Sequence, residues 1–209
     1  MQILPETLDK HYDILLDNES ELNTLNPRDY LSYRIGFADV YECLNLLLEK
    51  NPVSIADIGC GTNYYKKFIP HLTGVDPEFE QADIQAGFDA EFSKQYTHSF
   101  DAAFSICALH FIPLDYMRTR ILEFANIIKP GGRGYIALNL ARMVEDAPYK
   151  KNTRYLVEMF GTETPSITQC KDYVTKELDM LDLDVLQCNI DLESYDAYYN
   201  GNIRLFFNT

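Results

Sequence analysis

The stretch of this chain best equipped for chemistry is SIADIGCGTNYY, residues 54–65. A short apolar run ends at Asp57 and Ile58. Gly59, Cys60 and Gly61 follow, then Asn63, Tyr64 and Tyr65. Glycines at this spacing let a backbone approach a ligand without a Cβ in the way. Asp57 narrows the ligand, because a carboxylate at the mouth of the loop repels a pyrophosphate and attracts a cationic centre. The dinucleotide fingerprint G-x-G-x-x-G needs a third glycine where Tyr64 stands, and no Lys-Ser/Thr pair follows to make a phosphate loop. A second acid, Asp76, lies 17 residues beyond Gly59 at the end of the run LTGV. There a carboxylate can accept hydrogen bonds from both hydroxyls of a ribose, or simply open the turn VDPE.

These residues need elements to hold them. VSIADI and LTGVDP predict two short strands, and SFDAAFSICALHF contains a third apolar run. NYYKKFIPHL predicts a short helix cut by Pro70. DYMRTRILEFANIIKPGG predicts an amphipathic helix with Asp115 as N-cap, with Ile121, Leu122, Ala125 and Ile128 on one face, ended by Pro130, Gly131 and Gly132. RGYIALNL is the next strand. Strands alternating with helices predict an α/β fold, a doubly wound and mostly parallel sheet. At the end of the chain, LDVLQCNIDLE and NIRLFFNT read as an antiparallel strand pair, since no helix fits between them. Ahead of the loop, Leu31, Ile35, Ala38, Tyr41, Leu44, Leu47 and Leu48 share one helical face, and Asn51-Pro52 stops it.

A single domain is expected over residues 1–209: an N-terminal helical cap over 1–50, a ligand-binding core over 51–140, an insertion over the carboxyl edge at 141–175, and the antiparallel strands in 176–209.

S-adenosylmethionine suits the Asp57 loop on chemical grounds: it carries a sulfonium and an ammonium and no phosphate. The motifs ADIGCGTN, GVDP, FDAEF, SFDAAFSICALHF and IIKPGGRGYIALN stand in an order and spacing that resembles class I S-adenosylmethionine-dependent methyltransferases. The resemblance spans residues 53–140 and implies the Rossmann-like form of the sheet with its antiparallel edge. It implies that Asp57, Gly59, Cys60 and Gly61 form the methionine-side loop and that Asp76 holds the ribose. It also implies that Asp89 meets the adenine amino group, that Ala90 offers its backbone N–H to the ring, and that Ser105 to Ala108 floor the site. Asp83 competes with Asp89 for the adenine contact. Two departures stand out. Only 12 residues separate Asp76 from Asp89, so the family's third strand is expected to be stunted or missing. Asn63 replaces a common glycine, where its side chain can cap the helix that follows.

The resemblance implies methyl transfer. His110, after the run that ends ICALHF, is the candidate catalytic base, with packing under the loop as its other reading. Asn139 is a candidate to orient a substrate, and Tyr64 and Tyr65 to close over the methionine end. Acids outnumber bases 32 to 18, a formal charge of −14 that disfavours nucleic acid as a partner. No Cys/His cluster has zinc spacing, so no metal is expected. The five scattered cysteines, the absence of a signal peptide and the absence of a long apolar run predict a cytoplasmic protein away from membranes. A small molecule methylated on O, N or C is the expected acceptor. The alternatives are a protein or nucleic-acid substrate, a non-catalytic relative that binds a partner, and a nicotinamide-dependent oxidoreductase.

Overall fold

IADI and LTGV are each four residues long and almost wholly buried on both faces, as suits strands covered from two sides. They become β1 (Ile55–Ile58) and β2 (Leu72–Val75), paired in parallel with Ile55 opposite Leu72. The computed structural model describes residues 45–67, 69, 71–106, 108–109, 117–139, 167–181, 183–191 and 202–209. The chain divides into two units, Met1–Val53 and Ser54–Thr209. In the first, residues 45–48 are helical and Leu47 and Leu48 are buried. Asn51 ends that turn at φ +51°, its N–H donating to the Leu48 carbonyl at 2.9 Å, a left-handed stop that asparagine tolerates. The rest of the expected helical stripe, Leu31 to Leu44, lies outside the described residues.

The second unit continues with α1 (Ala90–Gln95), β3 (Phe100–Ile106), α2 (Met117–Asn126), β4 (Ile128–Asn139), α3 (Ile167–Asp179), β5 (Asp184–Asp191) and β6 (Asn202–Asn208). The six strands form one sheet in the order β2-β1-β3-β4-β6-β5. The first four are mutually parallel, and β6 runs antiparallel to both β4 and β5. This is the expected Rossmann-like doubly wound sheet with an antiparallel end. The expected third strand survives as one parallel bridge, Val75 to Ile84 on the outer side of β2.

The core packs around Phe124 and Phe207, both fully buried, and Phe104, also fully buried, lies outside that cluster. Phe124 meets Phe207 edge-on at 6.3 Å between ring centres, and Phe88, Phe92, Tyr96 and Phe100 extend the aromatic contacts along α1. Three local expectations differ. NYYKKFIPHL yields a single 3-10 turn, Tyr64–Lys67, and Phe68 and Pro70 are outside the described residues. In α2, Ile121, Phe124 and Ala125 face the core, whereas Leu122 is 43% exposed. That helix ends at Asn126, and Lys129-Pro130-Gly131-Gly132 is not its terminator. It is an irregular stretch inside β4, where pairing with β3 jumps from Phe100–Ile128 to Ala102–Arg133. Asp115 lies outside the described residues. Part of the expected insertion, together with the residues after it, forms α3.

Candidate functional site

β1 has β2 on one side and β3 on the other, so the winding of the sheet reverses there. The crevice beyond the carboxyl ends of strands at such a point is where doubly wound sheets bind ligands. The loop after β1 occupies it. The backbone N–H groups of Gly59 and Cys60 both donate to the Val75 carbonyl, at 2.8 and 3.1 Å, which folds the loop across the end of β2. Gly59, Gly61 and Asn63 take φ of +79°, +54° and +55°. The two glycines serve different ends. A Cβ on Gly59 would collide with the Cβ of Ala108, which follows β3, whereas a Cβ on Gly61 would meet nothing within 4 Å. One glycine lets two loops touch, and the other faces open space.

Two carboxylates flank this opening. Asp57, at the end of β1, is 2% exposed, and its Oδ2 is buried without a hydrogen-bond partner. Loss of hydration pushes its pKa well above the usual carboxylate range, and the charge of Asp76 pushes it further. Asp76 is 8% exposed but satisfied: Oδ2 accepts from Gly61 N–H at 3.0 Å and Oδ1 from Glu78 N–H at 2.9 Å. Asp76 therefore shapes the loop, and each of its oxygens keeps a second lone pair. Burial first, then Asp57, Asp76 and Asp83, push the Cys60 thiol up to about 12, so Cys60 is a protonated, inert filler whose place in the loop is set by its backbone.

Asn63 does not cap the turn after it. Its Nδ2 donates to the Gln81 carbonyl at 2.9 Å and to Asp83 Oδ2 at 3.1 Å. Asp83 Oδ2 also accepts from Gly74 N–H at 2.9 Å, and Oδ1 pairs with Lys66. Partial burial opposes ionisation of Asp83, but Lys66, the Gly74 N–H and Asn63 outweigh it and hold its pKa below the usual range. Asp83 is thus engaged in holding the loop.

Asp89 is exposed and caps α1, its Oδ1 accepting from Phe92 N–H at 2.9 Å, and Ala90 opens the helix beside it. Ser105 is fully buried, and its hydroxyl donates to the Ile58 carbonyl at 2.9 Å, which ties β3 to β1. Tyr65 packs edge-on against Phe104 at 5.9 Å, toward the core. Tyr64 lies in the 3-10 turn and Asn139 ends β4 opposite Asn202. His110 is outside the described residues. The sequence reading missed the hold of Asp83 and Lys66 on the loop and the close approach of Ala108 to Gly59. An acid at 83 midway in an unusually short crossover was the available signal for the first.

Residues 56–136 match the family model of a methyltransferase domain. A comparison with curated protein sequences gives no significant match. Among solved structures, the chain is similar to an S-adenosylmethionine-dependent methyltransferase from Mesorhizobium loti. That match has 14% identity and a TM-score of 0.50, and covers 82% of this chain and 98% of the other. It is also similar to N-methyltransferase NodS from Bradyrhizobium japonicum WM9 in complex with S-adenosyl-L-homocysteine, at 19% identity, TM-score 0.47, and 80% and 83% coverage. A third is a 16S rRNA (adenine(1408)-N(1))-methyltransferase from Catenulisporales acidiphilia, at 15% identity, TM-score 0.47, and 74% and 84% coverage.

Proposed function

We propose that the chain, whose residues 56–136 match the family model of a methyltransferase domain, methylates a small-molecule acceptor above the Asp57–Asn63 loop with S-adenosylmethionine as the methyl donor. The observation that carries the reading to these residues is the buried, unpartnered Asp57 Oδ2 at the mouth of a loop whose Gly61 faces open space. A buried carboxylate oxygen with no donor is costly. A ligand that brings an ammonium and a sulfonium supplies what it lacks, and a phosphate ligand does not.

On this reading Asp57 attracts the ammonium end of S-adenosylmethionine, and Gly59, Cys60 and Gly61 present backbone to it. Asp76 accepts from the ribose hydroxyls with its remaining lone pairs. Asp89 faces the adenine amino group, and Ala90 offers one of the N–H groups that a helix start leaves unpaired. When bound, S-adenosylmethionine supplies an electrophilic methyl on sulfur. The protein's part is to align the acceptor with it and to keep water out. Tyr64 and Tyr65 shape the methionine end, Asn139 orients the acceptor, and His110 takes a proton where the acceptor has one to lose. The formal charge of −14 supports a small acceptor over a nucleic acid, whose phosphates it repels.

Calorimetric titration with S-adenosylmethionine, S-adenosylhomocysteine and NAD tests the cofactor. Micromolar binding of the first two, absent for NAD and lost in Asp76→Ala, is the expected result. It opens a metabolite screen for the methyl acceptor. A folded protein that binds neither sulfur ligand contradicts the reading. Methylation of RNA or a peptide in preference to any metabolite would overturn the acceptor class alone.

A further inference from the structure

We propose that Asp83 is a positioning residue for the cofactor loop, acting through Asn63, Gly74 and Lys66 and standing in for the strand that this fold reduces to one bridge. The inference rests on the cofactor reading above. With only 12 residues between Asp76 and Asp89, no full strand lies beyond β2, and Val75–Ile84 is the one isolated bridge among the described residues. The loop after β1 therefore has to be fixed by other means along its length.

Its start is fixed by the Gly59 and Cys60 N–H groups on the Val75 carbonyl, and its middle by Gly61 N–H on Asp76. Its end is fixed by side chains. Asn63, at φ +55°, takes a conformation that asparagine adopts more readily than most residues. Its amide reaches Gln81 and Asp83. One oxygen of Asp83 thus receives the loop, through Asn63, and the strand, through Gly74 N–H. The Asp83 N–H returns a bond to the Gly74 carbonyl at 2.9 Å, so residue 83 grips Gly74 through both of its backbone polar groups. The fit depends on Gly74 having no side chain, because a Cβ there would strike the Asn63 amide. Lys66 adds a charge on the other oxygen, but it is 43% exposed, so its share is small.

The brace acts through the loop. It acts by removing disorder that the ligand would otherwise have to remove on binding. The test is calorimetric titration with S-adenosylhomocysteine, together with amide hydrogen exchange of residues 59–63 in the ligand-free protein, on wild type, Asn63→Gly, Asp83→Ala and Lys66→Ala. Asn63→Gly accepts the left-handed backbone and removes the amide bonds with the short side chain that carries them, so it keeps the test alive if Asp83→Ala does not fold. The expected result is a loss of affinity of about three- to tenfold in Asn63→Gly and Asp83→Ala, with faster exchange of the loop amides. Lys66→Ala is expected to change affinity by less than about twofold. A residue that merely supports the fold would lower the melting temperature and leave the affinity, measured well below it, unchanged. That outcome, or unaltered loop exchange in Asn63→Gly, overturns the proposal while wild type still binds. A wild type that binds no S-adenosylhomocysteine overturns the cofactor reading, and this proposal with it.

Discussion

Asp57 and Asp101 stand at opposite edges of the same parallel sheet, one near the end of β1 and one near the start of β3. At the amino edge, Asp101 Oδ2 accepts from Ser54 N–H at 3.0 Å and Oδ1 from Lys129 Nζ at 2.7 Å. Thr209 closes the same edge, its Oγ donating to the Lys129 carbonyl at 2.7 Å and its N–H to the Gly132 carbonyl at 3.2 Å. At the carboxyl edge Asp57 Oδ2 is buried without a donor, and Gly61 opens onto space. The first edge has its acid partnered by protein. The second leaves an acid in want of a cation, which is the arrangement a site for a cationic ligand needs. Substitutions at the two edges should therefore separate stability from binding.

The largest effect is expected at Gly59, where the loops from β1 and β3 touch. In Gly59→Ala the new Cβ must displace Ala108. The left-handed backbone adds about 1–2 kcal/mol and overpacking about 1–3 kcal/mol. Urea unfolding should show a loss within the sum of those ranges, with S-adenosylhomocysteine binding lost as well. An unchanged midpoint would mean that the two loops do not meet as described. Asp101→Ala comes next, at about 1–2 kcal/mol for the stranded Ser54 N–H and the partly exposed ion pair. Its binding constant for S-adenosylhomocysteine should equal that of wild type. A weakened constant would show that the amino edge is coupled to the site, and the contrast between the edges would fail.

The same contrast explains what the sequence discloses. β1 and β2 are legible because short apolar runs stop at glycine or acid, β3 because it lies in a longer apolar run, and the tail pair because no helix fits between its runs. The carboxyl-edge residues are legible in position, since Asp57, Gly59, Gly61 and Asp76 are punctuation in that pattern. Their bonds are less so. Asp83 reads as a rival ligand contact, yet its partners are residues 63, 66 and 74, and no local period announces a bond across the chain. Ser105 reads as the floor of the site, yet full burial turns its hydroxyl to the Ile58 carbonyl. Lys129-Pro130-Gly131-Gly132 reads as a helix stop, because proline and glycine mark helix ends and strand irregularities alike. Only the pairing of Phe100 with Ile128 decides between them.

A smaller effect, of opposite sign, is expected at Asp57. Burial and Asp76 raise its pKa in the folded state. The folded protein therefore holds a proton that the unfolded chain has released, and stability falls as pH rises from the ordinary carboxylate range through the raised value. Asp57→Asn removes that penalty. The ligand-free variant should gain on the order of 1 kcal/mol at neutral pH, with a flatter dependence of melting temperature on pH. It should also bind S-adenosylhomocysteine more weakly, because the ammonium loses its counter-charge. A variant no more stable than wild type would mean that Asp57 is already compensated, and the contrast with Asp101 would disappear.

Gly61→Ala should be the mildest for the fold and still harmful to the site. Its backbone at φ +54° charges an alanine about 1–2 kcal/mol, but replacing glycine stiffens the unfolded chain and returns about 0.4–1 kcal/mol. No atom lies within 4 Å of the added methyl, so packing contributes nothing further. The net loss should stay under about 1.5 kcal/mol in urea unfolding. Binding is different, because the methyl enters the space that the ligand is proposed to fill, and S-adenosylhomocysteine affinity should drop by at least about tenfold, or about 1.4 kcal/mol. Comparing Gly59→Ala with Gly61→Ala sharpens the contrast within a single loop, two residues apart. If Gly61→Ala destabilises as much as Gly59→Ala, the open space is filled by protein. If it leaves affinity intact, the ligand lies elsewhere along the carboxyl edge, and Asp57 needs another partner.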